Sequence, residues 1–305
     1  MKFMTKPLSL LFTLCYLFIA SCNTTGKTFS YNADETGFLP LDDDALIYIC
    51  ADIKKSMPIL EALKTIPAND KQFRQILGKA QTVLIAIYSE NQKLYQITAY
   101  GKFPSSKARF ALGMSRGWKK MRSPDAKEVY WHSVREKISV AVRPKQANVL
   151  IKSDTPDDPN NTLTNPFYTK PGVKTPAGFN DFRKDSFFSC WIINPKDLIN
   201  KKIAEAELPF EIPAEQLFIS FNEDISDKFL MRMRFDFSSA SQAKGLAAIL
   251  DLARSFYKPV NPESGFELLT NIIFSNEPFQ DGKSLIIASI IDADRIALLL
   301  KLFSV

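Results

Sequence analysis

The sequence has few glycines, one histidine and few cysteines, and each shortage argues against a class of site. Only 11 of the 305 residues are glycine, and no glycine-rich loop that would hold phosphate groups occurs. The single histidine, His132, has no cluster of Cys, Asp and Glu at metal-ligand spacing around it. The acidic triplet at residues 42–44 lacks the glycine and distal glutamate of a calcium loop. We therefore expect neither a metal nor a cofactor.

The apolar segment at residues 8–19 is too short to cross a membrane. Its 12 residues would span about 18 Å as a helix, whereas the core of a bilayer is roughly 30 Å thick. The segment follows Lys2 and Lys6 and closes on two small residues, which is the plan of a secretory signal peptide. The sequence therefore predicts export, with residues 1–21 as the signal peptide.

The four residues Ile19, Ala20, Ser21 and Cys22 end this segment and resemble the lipobox of bacterial lipoproteins. The resemblance implies a diacylglycerol on the Cys22 thiol, cleavage before Cys22 and a chain anchored by lipid in the cell envelope. The anchor would lie on either membrane or at the cell surface. An ordinary cleaved signal with a chance cysteine at the cut is the alternative. The body is also loosely similar to uncharacterised lipoproteins of spirochaetes.

The remaining chain reads as a tether followed by two folded parts. Residues 22–41 are polar and without sustained periodicity, which is typical of a tether. Residues 42–152 form the first predicted unit and residues 186–305 the second. Five prolines between them predict a linker or long loop at residues 153–185, because proline interrupts both helices and ladders.

Apolar runs and their spacing predict an α+β fold. We expect strands at 45–50, 83–88, 94–100, 129–132 and 138–142, then at 187–193, 216–221 and 229–237. Helices are expected at 54–65, 105–114, 195–207 and 238–256. Residues 138–152 and 285–301 both read as strand, polar turn, apolar helix and lysine. We infer two tandem, diverged units of antiparallel sheet with helices packed on one face; one continuous α+β domain is the alternative.

Two cysteines remain in the body once Cys15 leaves with the signal and Cys22 carries lipid. Cys50 and Cys190 could pair in an exported protein, since such compartments are oxidising. Each also lies in a short apolar run, which favours two separate buried thiols.

The strongest local anomaly is positive charge at residues 101–152. Thirteen Lys and Arg stand there against three Asp and Glu, a balance of +10, while the whole chain carries +6. Such a region attracts polyanions. For an exported, tethered protein these are anionic lipids, cell-wall polymers or acidic envelope proteins rather than nucleic acid. The candidate anion-binding residues are Arg116, Lys119, Lys120 and Arg122; the alternative is a solvated face with ordinary charges.

We predict a non-enzymatic, lipid-anchored envelope protein that binds an envelope component. One alternative is a serine hydrolase, because residues 113–117 match the G-x-S-x-G pattern around Ser115, with His132 downstream. That pattern needs a strand before the serine, and a helix is expected here. A second alternative is a carrier of apolar ligands, suggested by 24 phenylalanines. We assign no catalytic residue.

Overall fold

The computed structural model describes residues 45–62, 79–88, 95–123, 128–135, 137–151, 166, 175–176, 178–196, 199–200, 204, 211–224, 228–259 and 261–302. The chain divides into two compact units, here called unit 1 and unit 2, with the main boundary between Asn180 and Asp181. Pro58–Lys64 also group with unit 2, so the helix Ile53–Ala62 contributes residues to both units. Both combine antiparallel strands with helices, which confirms the predicted α+β class. Cys22 and the acidic triplet at 42–44 lie outside the described residues.

The described residues of unit 1 form seven strands and include the helix that leads into the candidate site. A helix follows the first strand, and its N-terminus is capped by Asp52, whose Oδ1 accepts the Lys55 N–H at 3.0 Å. In chain order the elements are β1 (Ile47–Asp52), α1 (Ile53–Ala62), β2 (Ala80–Ile87), β3 (Tyr95–Gly101), α2 (Ser105–Met114), β4 (Trp118–Arg122), β5 (Val129–Ser133), β6 (Ile138–Val142) and β7 (Gln146–Ile151).

The strands of unit 1 are ordered β1-β2-β3-β7-β6-β5-β4, and neighbours pair antiparallel. β6 is buried along its whole length. Helix α2 packs against β4 and β6 and buries Ala108 and Leu112. Unit 1 therefore has a core between α2 and the sheet, as expected for an apolar sheet face covered by a helix.

One element predicted in unit 1 is wrong. Residues 146–152 were expected to be a helix, but Gln146–Ile151 is strand β7. Arg143 and Gln146 exchange backbone hydrogen bonds of 2.7 and 3.4 Å across Pro144 and Lys145, which turns the chain into a hairpin. β7 pairs with β6 on one side and with β3 on the other. This pairing on both sides outweighs the helix-like spacing of the apolar residues in the six-residue segment. The correspondence with residues 285–301 fails at this point.

In the ranges that the structure describes, unit 2 contains five antiparallel strands and three helices of ten or more residues. The strand and the helix predicted within residues 285–301 are confirmed, but the expected turn between them is wrong, since the strand Ser284–Asp292 is followed directly by the helix Ala293–Leu302. The predicted helix that buries Ala243, Leu246 and Leu250 is also confirmed. The short helix α3 (Phe179–Phe182) lies in the expected linker, at the boundary of the two units. The other elements are β8 (Phe188–Ile193), β9 (Gln216–Glu223), β10 (Lys228–Asp236), α4 (Ala240–Phe256), α5 (Gly265–Ser275), β11 (Phe279–Asp281), β12 (Ser284–Asp292) and α6 (Ala293–Leu302).

The sheet of unit 2 is ordered β8-β9-β10-β12-β11, and α4, α5 and α6 each pack against β12. Alternate residues of β9, β10 and β12 supply one buried face; these include Leu217, Ile219, Met231, Met233, Leu285 and Ile287. On the opposite face, Phe182 and Trp191 lie 6.2 and 6.3 Å from the Phe218 ring. The predicted helix at 195–207 lies largely outside the described residues.

A partly buried ion pair within β10 is hydrogen-bonded to the neighbouring strand β12. Arg234 donates to both carboxylate oxygens of Asp236 at 2.7 and 3.0 Å, and the Ser284 hydroxyl on β12 donates to the same carboxylate at 2.6 Å. The side chains of Arg234 and Asp236 are 19% and 13% exposed. Removal of the Asp236 carboxylate would therefore leave the partly buried positive charge of Arg234 without a counter-charge.

We expect Asp236→Ala to lower the free energy of unfolding by about 3–5 kcal/mol, because the Arg234 charge would remain in place without its partner. The measurement is urea-induced unfolding. Glu277→Ala is the matched control: its carboxylate is 82% exposed and 3.9 Å from Arg254, so its loss should cost less than about 0.5 kcal/mol. Equal costs for the two variants would contradict a structural role for the Asp236 pair.

Candidate anion-binding surface

β4 presents three of the four predicted anion-binding residues. It pairs with β5 and ends the strand order of unit 1. Across this pairing Lys119 faces His132, Lys120 faces Trp131 and Arg122 faces Val129. Tyr130 and Trp131 are buried and hold β5 in the sheet, whereas residues 119–122 of β4 are exposed. The structure therefore displays these cations along one short strand.

Arg116 lies in the turn that connects α2 to β4. The helix ends at Met114, and Ser115 takes an extended conformation. Gly117 follows with a φ of +94°, a conformation that side-chain-bearing residues rarely adopt. This turn leads the chain directly from the helix into Trp118. Arg116 is exposed beside the strand cations, and we call Arg116, Lys119, Lys120 and Arg122 the basic edge.

Two other cations of the same region have partners within unit 1. Arg143 forms an ion pair with Glu128, and Arg109 Nε donates to the Val142 carbonyl at 2.9 Å. Within the described ranges, no residue of the basic edge has an ion pair with an Asp or Glu. The positive charge of the basic edge is therefore available to anionic groups outside unit 1.

Exposed apolar side chains accompany these cations, and sequence reasoning missed them. Phe110 and Met114 of α2 are 71% and 72% exposed, and Met121 of β4 is 37% exposed. Phe110 and Met114 are four residues apart and so share one side of the helix. Because Ala108 and Leu112 face the sheet, Phe110 and Met114 lie on the outer side of α2, turned away from β4, whereas Met121 lies among the strand cations.

The geometry expected of a serine hydrolase does not occur at Ser115. The chain runs helix, Ser115, strand, which is the reverse of a nucleophile elbow. The Ser115 hydroxyl donates to the Ala111 carbonyl at 2.8 Å, while His132 Nδ1 lies 3.0 Å from the Ser139 hydroxyl. Ser115 therefore closes a helix, and His132 is bonded to the neighbouring strand β6.

The pKa of His132 lies below 6.5. Burial is the largest cause, a hydrogen bond with the Ile138 backbone opposes it, and the charge of Lys119 lowers the pKa further. The folded state therefore binds this proton less readily than the unfolded state. His132 favours folding above pH 6.5, and this contribution is lost as the pH falls through the lowered folded pKa.

The remaining titratable candidates do not form a site. Cys50 and Cys190 are both buried, and in the described part of the chain neither forms a disulfide, as expected of separate thiols. Burial raises the pKa of Cys190 to about 12, so this thiol is unreactive at neutral pH. In the part of the chain that the structure describes, no group of His, Cys, Asp and Glu is placed to hold a metal ion. Across the same ranges, no helix is long and apolar enough to cross a membrane.

Three crystal structures of TP0453 share this fold. Form III has a TM-score of 0.57 and 14% identity, and the alignment covers 86% of this chain and 96% of that one. Form IV has a TM-score of 0.57 and 15% identity, with coverage of 88% and 99%. Form I has a TM-score of 0.54 and 13% identity, with coverage of 87% and 96%. At these identities the likeness concerns the fold.

The family of this chain is identified from its sequence. No match was found among the curated proteins. The model of one protein family, described as outer membrane-associated lipoprotein TP0453, matches residues 33–256, which is more than half of the chain. The chain therefore belongs to the family of the outer membrane-associated lipoprotein TP0453.

Proposed function

We propose that this protein is held at a membrane by lipid on Cys22 and that its basic edge binds the anionic headgroups of that membrane. The observation that carries the proposal is the exposed strand segment with Lys119, Lys120 and Arg122, which have no acidic partners in the described residues. The neighbouring helix α2 adds Phe110 and Met114, exposed on its outer side. Cys22 enters through its lipobox context, and family membership supports an envelope lipoprotein.

Electrostatics favours a membrane surface as the partner. Each Lys or Arg close to an anionic bilayer contributes about 1 kcal/mol at low salt. Lys120 and Arg122 share one face of β4 and Lys119 points to the other, so the gain depends on how many of these side chains reach the headgroups. The attraction decays over a Debye length of about 10 Å at 0.1 M salt. It is therefore effective only for a protein already kept near the membrane, which is what an anchor at Cys22 provides.

The exposed apolar groups add a contribution that salt does not screen. Phe110 and Met114 project from the same side of α2, and burial of such side chains in the interfacial region of a bilayer is favourable. A cell-wall polymer or an acidic protein would use the cations but has no general need of these apolar groups. Anionic lipid therefore fits both features of the surface.

Reversal of three charges tests this proposal. We expect the chain from residue 23 onward to sediment with anionic vesicles at low salt, and the variant with Lys119, Lys120 and Arg122 changed to Glu to lose that binding. The matched control reverses Lys228, Lys258 and Lys283, which are exposed in unit 2 and change the net charge equally.

Equal loss of vesicle binding in both variants would mean that only the net charge of the protein matters. Undiminished binding by the first variant would refute the basic edge, and binding to cell-wall polymer but not to vesicles would replace lipid by polymer.

The pKa of His132 depends on the charge of Lys119 and can therefore be used to detect changes in that charge. Because Lys119 lowers the pKa of His132, we expect Lys119→Gln to raise that pKa toward 6.5. NMR titration of histidine-labelled protein measures it without overlap, since His132 is the only histidine. Anionic bicelles should raise the pKa of the wild-type protein in the same direction, whereas zwitterionic bicelles should not. No change with anionic bicelles would mean that Lys119 does not approach the headgroups.

A further inference from the structure

Strand β12 is paired along its whole length on one side and only in part on the other. β10 pairs with every residue of Ser284–Asp292. On the opposite side β11 pairs with residues 284–286 only. In the ranges that the structure describes, no strand pairs with the rest of this side. We call residues 288–292 on this side the β12 edge.

The register shows which backbone groups point to the β12 edge. The Phe237 N–H donates to the Lys283 carbonyl at 3.0 Å, so the odd-numbered residues of β12 bond to β10. The even-numbered residues direct their N–H and C=O groups the other way, and the first two of them pair with β11. Ala288, Ile290 and Asp292 are the remaining three, and all are exposed. Their N–H groups can therefore bond to a further strand.

The β12 edge lacks the features that usually block an exposed strand. Proteins protect such edges with charged side chains, above all lysine, with proline or with a bulge. β4 of unit 1 carries Lys119, Lys120 and Arg122 at its edge. The β12 edge instead reads Ala-Ser-Ile-Ile-Asp, without a cation or proline, and its register with β10 is regular. An edge of this kind favours the addition of an extended segment from a partner.

The side chains along this edge are apolar on the face that the helices leave open. Phe279 of β11 lies opposite Ile286 and is 65% exposed, and Ile290 is 55% exposed. Because even-numbered residues of β12 share one face, Ala288 lies between the two isoleucines. Residues of an added strand opposite Ala288 and Ile290 would lie on this same face. Apolar side chains fit both positions.

The C-terminal end of the β12 edge is acidic. The Asp292 side chain is 54% exposed, and its Oδ1 accepts the Arg295 N–H at 2.8 Å. Arg295 Nε lies 3.9 Å from Oδ2. Asp294 is also exposed, so two carboxylates stand here against one guanidinium. A basic residue on an added strand opposite Asp292 would be favoured, because opposite charges stabilise a cross-strand pair.

We propose that the β12 edge binds an extended segment of another envelope protein as an antiparallel strand. The segment reads basic, any, apolar, any, apolar, with the basic residue opposite Asp292 and the apolar residues opposite Ile290 and Ala288. Main-chain hydrogen bonds supply affinity and these alternate side chains supply specificity. The β12 edge lies in unit 2, and this proposal does not depend on the basic edge.

The two competing occupants fit the β12 edge less well. A bilayer offers no hydrogen-bond partner to the backbone groups of Ala288 and Ile290, and unsatisfied groups in hydrocarbon are costly. A second β12 edge, paired antiparallel about Ile290, would place Ala288 opposite Asp292. No cation would then face this carboxylate. A basic segment of a different protein satisfies both the backbone and the charge.

A labelled peptide, Gly-Arg-Thr-Val-Thr-Ile-Gly, tests the proposal by fluorescence anisotropy with the chain from residue 23 onward. We expect a dissociation constant below about 1 mM, and binding about fivefold weaker when glutamate replaces the arginine. Asp292→Asn keeps the helix cap, because asparagine caps as well as aspartate, and should remove this preference. Asp251→Asn is the matched control: Asp251 is also 54% exposed and pairs with Arg254 three residues on. This variant should keep the preference.

N-methylated peptides test the backbone pairing without changing the protein. A methyl group on the valine and isoleucine nitrogens should abolish binding, because these amides face β12. Methylation of the two threonine nitrogens should leave the dissociation constant within about threefold. Ile290→Pro should also abolish binding, and it should stay folded because the Ile290 N–H bonds no described strand.

Three results would overturn the proposal. The first is no binding of the arginine peptide up to about 1 mM. The second is an equal effect of the two methylation patterns, which would mean that the peptide contacts side chains alone. The third is self-association of the wild-type protein that Ile290→Pro abolishes, as measured by sedimentation equilibrium. That result would assign the β12 edge to a second copy of this chain.

Discussion

Among the described strands β4 pairs with β5 alone, and this one-sided pairing determines what unit 1 presents to its surroundings. An edge strand exposes backbone donors and acceptors, and proteins commonly place lysine there because charge opposes pairing with another sheet. Lys119, Lys120 and Arg122 meet that need, since like-charged edges repel each other. The same charges attract an anionic surface. A feature that protects the fold therefore also supplies the proposed binding surface.

Much of the fold could be predicted because the sequence alternates where a sheet has one buried face. Helix α2 was predicted with its observed bounds, and β9 and β10 were predicted as a hairpin. The cell-envelope lipoprotein assignment drawn from the first 22 residues is confirmed by the family match. Lipid on Cys22 itself stays a prediction, as do the expected domain limits.

The missed elements have particular physical causes. β4 reads as Trp-Lys-Lys-Met-Arg, which shows no apolar alternation, and it is a strand because β5 pairs with it. The apolar residues of β7 have helix-like spacing, but pairing with β3 on one side and β6 on the other makes this segment a strand. α5 did carry a usable signal: Ser264 and Glu267 form a capping box, and the Ser264 hydroxyl accepts the Glu267 N–H at 3.2 Å.

The candidate surface was only half predictable. The cations of this surface could be predicted from the excess of Lys and Arg in the sequence. The exposed apolar residues of α2 could not, because periodicity does not say which face of a helix is buried. In α2 the smaller residues Ala108 and Leu112 are buried while Phe110 and Met114 are exposed. In α4, Leu246 and Leu250 are buried while Leu252 and Phe256 are exposed. Side-chain size alone would have selected the wrong faces.

The central claim is that this body works at a membrane because fatty acyl chains on residue 22 keep it there. The most direct measurement is the mass of the N-terminal peptide of protein purified from its native membrane. The account predicts a peptide that begins at Cys22 and carries a diacylglycerol on its sulfur. An unmodified Cys22 thiol, or a peptide that still contains residues 1–21, would contradict it.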